Sequence, residues 1–197
     1  MDTIRAQKRQ LRREIRQRRR AVPASERLSR DVAIQNNLRE FLAKTNPSAV
    51  CAYSPMPGEP GGADLPEFIR RCLPSEVPIF LPRVVSLDGQ KLEWAKYTGE
   101  LSVSNWGIPE PTGPAIPNVF FKDPLIILPA LAIDCYGRRL GQGGGFYDTF
   151  FSHKPPGIVS CAVVDDTELI DHVPTEDHDL TVGYIISGTA VVQKKGN

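Results

Sequence analysis

Ile4, Leu11 and Ile15 fall on roughly one side of a helix drawn through Asp2–Arg20, and the positions between them are filled mostly by Arg, Lys and Gln. With no Gly or Pro in the stretch, the pattern predicts a helix that ends before Pro23. A second helix is expected from Ser25, read as its N-cap with Glu26 behind it, to Lys44, with Leu28, Val32, Leu38, Phe41 and Leu42 as the buried stripe. Beyond it the pattern changes to short apolar runs separated by longer connections. Ala49–Tyr53, Val77–Leu81, Leu92–Tyr97, Leu125–Ile133 interrupted by Pro129, Ile158–Val164 and Tyr184–Ser187 read as strands. Helical stretches fit at Asp64–Cys72 and Phe146–His153, and Asp88-Gly89 suits a hairpin turn between Val84 and Leu92. Strands alternating with helices predict an α/β fold with a mostly parallel sheet covered on both faces. Ser54–Gly62 and Gly107–Pro117 carry too many breakers for regular structure and read as long, functional loops.

Composition narrows the choices. A chain of 197 residues with 41% hydrophobic positions can bury one substantial core, and no repeat or low-complexity segment marks a second domain, so residues 1–197 are expected to form one domain. The 24 basic and 23 acidic residues leave a net charge of +1, so any electrostatic function must be local. Cys51, Cys72, Cys135 and Cys161 are widely spaced, without paired C-x-x-C spacing, and read as free thiols in a reducing compartment. The first twenty residues have no apolar signal core, and no apolar run approaches the ~18 residues that span a bilayer. A cytoplasmic location without a membrane partner is the expectation.

The strongest local signal is Arg138-Arg139-Leu140-Gly141-Gln142-Gly143-Gly144-Gly145-Phe146-Tyr147-Asp148, which follows an apolar strand and opens a helical stretch. Its glycines permit φ > 0 and close backbone approach, so amide N–H groups and the helix start can face a polyphosphate, with Arg138 and Arg139 adding charge. The spacing matches neither of the two standard nucleotide loops, and a turn that merely needs glycine remains the competing reading. Asp148 is either a favourable acid in the first helical turn or, beside a phosphate cradle, a Mg²⁺ ligand. Asp179 is the candidate second carboxylate.

The first helix holds nine basic and two acidic residues in twenty positions, with Lys8, Arg12 and Arg16 at i, i+4 steps. A solvated face, a nucleic-acid stripe and a set of cations reaching into an active site all fit that row; aromatic interleaving, which would favour nucleic acid, is missing. His153, His172 and His178 are too far apart for a local metal site, and no G-x-S-x-G elbow is present. Positioning plus electrostatic stabilisation, the usual means of phosphoryl transfer, is the chemistry left.

These features together resemble the 5-formyltetrahydrofolate cyclo-ligase (methenyltetrahydrofolate synthetase) family. The resemblance rests on Lys8-x-x-Leu11-Arg12, Tyr53-Ser54-Pro55-Met56-Pro57-Gly58-Glu59, Leu81-Pro82-Arg83, Trp106-Gly107-Ile108-Pro109-Glu110-Pro111, Leu128-Pro129-Ala130-Leu131-Ala132-Ile133-Asp134 and the run Arg139–Asp148. It implies a Rossmann-like three-layer α/β sandwich of the NagB/RpiA type. It also implies conversion of 5-formyltetrahydrofolate and ATP to 5,10-methenyltetrahydrofolate, ADP and phosphate through a phosphorylated formyl intermediate. Carried over by position, Lys8 and Arg12 touch the ATP phosphates, and Arg139, Leu140, Gly141, Gln142, Gly143, Gly144, Gly145, Phe146 and Tyr147 wrap the nucleotide. Arg139, Gly143 and Tyr147 are the catalytic candidates. Ser54, Met56, Glu59 and Trp106, with Gln142–Phe146, are the substrate contacts, Glu59 facing the donor-rich pterin edge. Asp148 and Asp179 would bind Mg²⁺. The implied protein is a monomer with no nucleic-acid partner. An ATP-dependent paralogue acting on another formamide or carboxylate, and a non-catalytic nucleic-acid binder using the basic helix, are the alternatives.

Overall fold

The computed structural model describes residues 2–88, 90–117, 123–151, 157–176 and 179–196. Gly89 of the expected hairpin turn, His153 at the expected end of the fourth helix, and His178 lie outside them. Helix α1 (Asp2–Ala21) stops before Pro23 as expected, and α2 (Ala24–Thr45) follows at once. Pro23 itself, at φ −60°, is the N-cap and no side chain caps this end, so Ser25 sits inside the first turn instead of preceding it. The buried stripe also differs from expectation. Ile34, Leu38, Phe41 and Leu42 meet the sheet, while Leu28 and Val32 are 67% and 50% exposed. At ~100° per residue Val32 points about 120° away from Leu38, so an apolar residue there cannot share its face.

Strand β1 (Val50–Cys51) is the centre of an eight-stranded sheet. It lies between β2 (Ile79–Ser86) and β7 (Leu125–Pro129), parallel to both. Outward from β7 come β10 (Ser160–Val163) and β11 (Tyr184–Ile186), also parallel, then the antiparallel edge strand β12 (Val191–Gln193). Outward from β2 come β3 (Lys91–Lys96), antiparallel through the expected hairpin with Val84 opposite Leu92, and β6 (Ala115–Ile116). Two short ribbons stand apart: β4 (Leu101–Val103) with β5 (Pro109–Pro111), and β8 (Ala132–Ile133) with β9 (Arg139–Leu140). The stretch Gly107–Pro117, expected to be loop, thus contributes two short strands. Both lie at edges, where a Pro need not donate to a ladder.

Alternation along the parallel strands sends Val50, Ile79, Ile127, Cys161 and Ile186 to one side, where α2 and α3 (Leu65–Cys72) cover them. Cys51, Phe80, Ile126, Leu128, Ala162 and Ile185 face the other side with Trp94, covered in part by Phe151 of α4 (Phe146–Phe151). Cys51 and Cys161 are buried free thiols, and burial raises both pKa values. Helix α1 packs elsewhere, with Ile15 in a third apolar cluster against Leu131, Ala132, Leu140 and Val173. This lays α1 across the β8–β9 ribbon. Strand order reverses between β1 and β7, and in an open α/β sheet ligands bind outside the carboxyl ends of the strands at such a reversal. The loops leaving those two ends carry residues Tyr53–Glu59 and Ala130–Leu131, which directs attention to that crevice.

Candidate active site

The ribbon that carries the glycine run is held by Asp134, fully buried, whose carboxylate accepts from the backbone N–H groups of Tyr136, Arg138 and Val173 and from Arg138 Nε at 2.6 Å. Arg138 is therefore committed to the hairpin and lies over the Tyr136 ring, not over the glycines as expected. Its neighbour Arg139 points the other way. The Arg139 side chain is 2% exposed; Nη1 donates to the Pro129 carbonyl, Nη2 donates to Asp148 Oδ1 at 3.1 Å, and the guanidinium sits 5.8 Å from the Tyr147 ring centroid. Its Nε is buried without a partner among the described residues. An orphaned buried guanidinium donor in a residue that lines a cavity is a polar atom the fold itself leaves unpaired.

The glycines let cations lie close to the backbone. A Cβ on Gly141 would stand 2.7 Å from Arg139 Nη1, and one on Gly143 would stand 3.1 Å from Arg12 Cζ. Gly143 also has φ +102°, which an L side chain rarely adopts. At Gly144, by contrast, φ is not positive, and a Cβ there would meet the Phe146 ring at 2.8 Å. Helix α4 is described from Phe146 to Phe151, the last residue before the undescribed stretch 152–156. The positive charge of the site comes from side chains.

Those side chains arrive on α1, along whose basic row exposure rises from buried Lys8 through half-buried Arg12 to exposed Arg16. Lys8 is 6% exposed, and its ammonium lies 2.5 Å from Asp179 Oδ2 and 2.9 Å from Glu176 Oε2. One turn on, Arg12 Nε donates to the Gly141 carbonyl at 2.9 Å. Burial and the neighbouring Arg16 lower the Arg12 pKa, with Asp179 and Asp148 opposing them, so an added anion would relieve the guanidinium. Arg16 donates to the carbonyl and side-chain oxygens of Gln142, whose Nε2 in turn donates to Glu59 Oε1 at 2.8 Å. Glu59 also accepts from the Met56 N–H, which fixes its carboxylate in the crevice. Arg19 is architectural: it grips buried Glu168 at 2.6 and 2.9 Å and the Ala130 carbonyl at 2.6 Å. Burial opposes its charge, but the bonds to Glu168 prevail and its pKa is raised.

Three cavities run in series through these residues. A 590 Å³ cleft is bounded by Lys8, Arg12, Arg139, the glycine backbone, Asp148 and Asp179. It shares Arg139 and Asp148 with a 90 Å³ inner cavity roofed by Gly141–Tyr147, and that cavity shares Glu59 and Gln142 with a 260 Å³ groove beside Met56. Of the sequence-predicted residues, Lys8, Arg12, Glu59, Met56, Asp148, Asp179 and the whole run Arg139–Tyr147 thus line one continuous crevice. Ser54 and Trp106 line none of the three; Trp106 is 51% exposed at the end of the β4–β5 ribbon, and the Ser54 hydroxyl is buried without a partner among the described residues. The Tyr147 phenol is raised by burial and then by Glu59, against the effect of Arg139, so it stays a proton donor. The sequence did not single out Glu176, which holds Lys8 at the edge of the cleft, or Gln90, which lines the cleft and reaches the glycine run from the β2–β3 turn.

The donor set fits one divalent cation of a particular kind. Asp148 Oδ1 is taken by Arg139 and the Leu180 N–H, and Asp179 Oδ2 by Lys8 and the Glu176 N–H, and both acids line the cleft. No cluster of three His, Cys, Asp or Glu capable of holding a metal exists among the described residues. Two carboxylates beside a phosphate-sized cleft suit Mg²⁺, which keeps its waters and takes phosphate oxygens, and do not suit a zinc centre.

The model of the 5-formyltetrahydrofolate cyclo-ligase family matches residues 4–188. A 5-formyltetrahydrofolate cyclo-ligase of Mycolicibacterium smegmatis is 35% identical, the alignment spanning 91% of this chain and 93% of that protein. The mouse protein of that name is 25% identical over 93% and 95% of the two chains. Among solved structures, the 5,10-methenyltetrahydrofolate synthetase of Aquifex aeolicus superposes with a TM-score of 0.77 at 24% identity, covering 96% of this chain and 94% of that one. The synthetase of Mycoplasma pneumoniae gives 0.72 at 19% identity, over 92% and 98%. At those identities the two superpositions establish the α/β fold.

Proposed function

The chain belongs to the 5-formyltetrahydrofolate cyclo-ligase family, and from that premise we propose that it closes 5-formyltetrahydrofolate to 5,10-methenyltetrahydrofolate at the expense of ATP, as a monomeric single-domain cytoplasmic enzyme. The observation that carries the site assignment is the convergence of Lys8, Arg12 and Arg139, from two separate elements, on one cleft that also holds Asp148 and Asp179, with a buried Arg139 donor left unpartnered.

The triphosphate occupies the 590 Å³ cleft, where Lys8, Arg12 and Arg139 neutralise it. Asp148 and Asp179 would hold Mg²⁺, whose charge would stabilise the transferring phosphoryl group. Lys8 then exchanges its contact with Asp179 for phosphate. Glu59, fixed by Gln142 and the Met56 N–H, accepts from the pterin edge and turns the formyl group toward the inner cavity. The formyl oxygen attacks the γ-phosphorus and ADP departs; the neighbouring folate nitrogen attacks the activated carbon, and phosphate leaves with the former formyl oxygen. A formamide oxygen is a poor leaving group and phosphate a good one, which is why ATP is required. Arg139, with its free Nε–H, and the Gly143 backbone stabilise the charge that develops during transfer, and the protonated Tyr147 phenol lines the same cavity.

No described helix is long and apolar enough to cross a membrane, and the engagement of Lys8 by Glu176 and Asp179, of Arg12 by the Gly141 carbonyl and of Arg19 by Glu168 counts against a nucleic-acid stripe. Purified protein mixed with Mg-ATP and 5-formyltetrahydrofolate should develop the near-ultraviolet absorbance of the methenyl product. ATP hydrolysis without that absorbance would point to another acceptor, and salt-dependent oligonucleotide binding without turnover would point to the nucleic-acid reading.

A further inference from the structure

The loop that leaves β1 carries Glu59, and much of what holds it in shape comes from outside it. Gly58, Gly61 and Gly62 have φ of +85°, +104° and +84°, so the loop is built on the residue type with the widest choice of conformations. Residues 59–62 are nevertheless buried, and their backbone groups need partners. The Glu59 carbonyl accepts from Arg30 Nη2 at 3.4 Å, the Pro60 carbonyl from the Tyr53 hydroxyl at 2.8 Å, and the Gly61 carbonyl from Gln35 Nε2 at 3.0 Å. The Gly61 N–H donates to Asp31 Oδ1 at 3.1 Å. Three of these four side chains come from α2, where Asp31 and Gln35, at i and i+4, fall on one face.

Asp31 is the centre of this arrangement. Its Oδ1 also accepts from Arg30 Nε and Nη2 at 2.9 and 2.8 Å, and the Arg30 side chain is only 7% exposed. Neighbouring side chains on a helix ordinarily diverge, and a buried ion pair adds little stability over apolar residues of the same size. The effect particular to this pair is geometric: it sets a charged acceptor at the Gly61 N–H and a donor at the Glu59 carbonyl, pinning both to one helix. Arg30, Asp31 and Gln35 line neither the cleft, the inner cavity nor the groove, so any action on a bound ligand runs through the loop. Resting on the cyclo-ligase reading, we propose that Asp31 is a positioning residue for folate recognition, which with Arg30 and Gln35 clamps the backbone at Glu59 and Gly61 and so holds the Glu59 carboxylate where the pterin edge meets it.

The test compares Asp31→Ala and Asp31→Asn with the wild type, each alone and combined with Glu59→Gln, in kcat and in the Michaelis constants for 5-formyltetrahydrofolate and ATP. Asp31→Ala should raise the folate KM about five- to tenfold, the scale of one buried backbone N–H losing its acceptor, with kcat and the KM for ATP changed by less than about twofold. Asp31→Asn keeps an oxygen for the Gly61 N–H and should recover most of the loss. In the Glu59→Gln background Asp31→Ala should add less than about twofold, because the residue acts through Glu59. If Asp31→Ala folds poorly with Arg30 left unpaired, Gln35→Ala strands no charge and should show the same split at about two- to fivefold. An unchanged folate KM in folded Asp31→Ala, or an effect of full size in the Glu59→Gln background, overturns the clamp and leaves the cyclo-ligase reading standing. An ATP affinity that falls as far as the folate affinity shows a general structural role and overturns it too. A wild type that turns over no formyl folate refutes the cyclo-ligase reading, and the clamp falls with it.

Discussion

Gly143→Ala perturbs the site at the point where backbone shape and charge placement meet. The residue has φ +102°, so alanine there carries roughly 1–2 kcal/mol of strain, and a melting temperature lower by roughly 2–8 °C is expected for a domain of this size. The added Cβ also stands 3.1 Å from Arg12 Cζ and 3.2 Å from Arg12 Nε, closer than the guanidinium tolerates. Arg12 must give way by a few tenths of an ångström, which strains its 2.9 Å bond to the Gly141 carbonyl. If that guanidinium holds a phosphate, its displacement forfeits a charge-assisted hydrogen bond of about 1.5–3 kcal/mol, a roughly ten- to 150-fold weaker Kd for Mg-ATP. Calorimetric titration of the folded variant measures this, and combining it with Arg12→Ala separates the causes. Because the alanine acts through Arg12, the two changes together should weaken binding little more than Arg12→Ala alone. Wild-type affinity in folded Gly143→Ala, or fully additive losses in the double variant, would refute the reasoning.

Arg19→Met should lower stability by about 3–5 kcal/mol, since it strands the buried Glu168 carboxylate, and adding Glu168→Gln should recover most of the loss in a thermal melt. Asp148→Asn keeps an acceptor for Arg139 and the Leu180 N–H but loses the charge. Its fold should survive by circular dichroism, while the extra thermal stabilisation that Mg²⁺ adds to bound ATP should vanish. Glu59→Gln should raise the KM for the folate by about one to two orders of magnitude, with nucleotide affinity in a calorimetric titration changed by less than about twofold.

The parallel strands were legible because their apolar runs are short, bounded by breakers and apolar on both faces, as Ile126–Leu128 are. The strands β4 and β12 were not, because exposed residues such as Val103 and Val191 bury too little to impose a period, and β5 is the breaker-rich sequence Pro109-Glu110-Pro111. Along α2, an apolar residue at Val32 is indistinguishable in sequence from one at Ile34, and only the position of the sheet decides which is buried. In the site, the glycine run and Asp148 stood out locally. Lys8, Arg12 and Arg16 were visible as a row, but its meaning depends on α1 lying across the β8–β9 ribbon, a long-range contact with no local signature. Glu176 meets Lys8 and Gln90 meets the glycine run only through tertiary placement, and Arg138 and Arg139, identical in sequence terms, part because the strand turns them to opposite sides.

The central claim is that the formyl oxygen is phosphorylated by ATP and departs as part of phosphate. Substrate labelled with ¹⁸O in the formyl group, converted in the presence of Mg-ATP, should yield inorganic phosphate carrying one labelled oxygen for each methenyl product formed. Label recovered in water, with the phosphate unlabelled, would contradict the account.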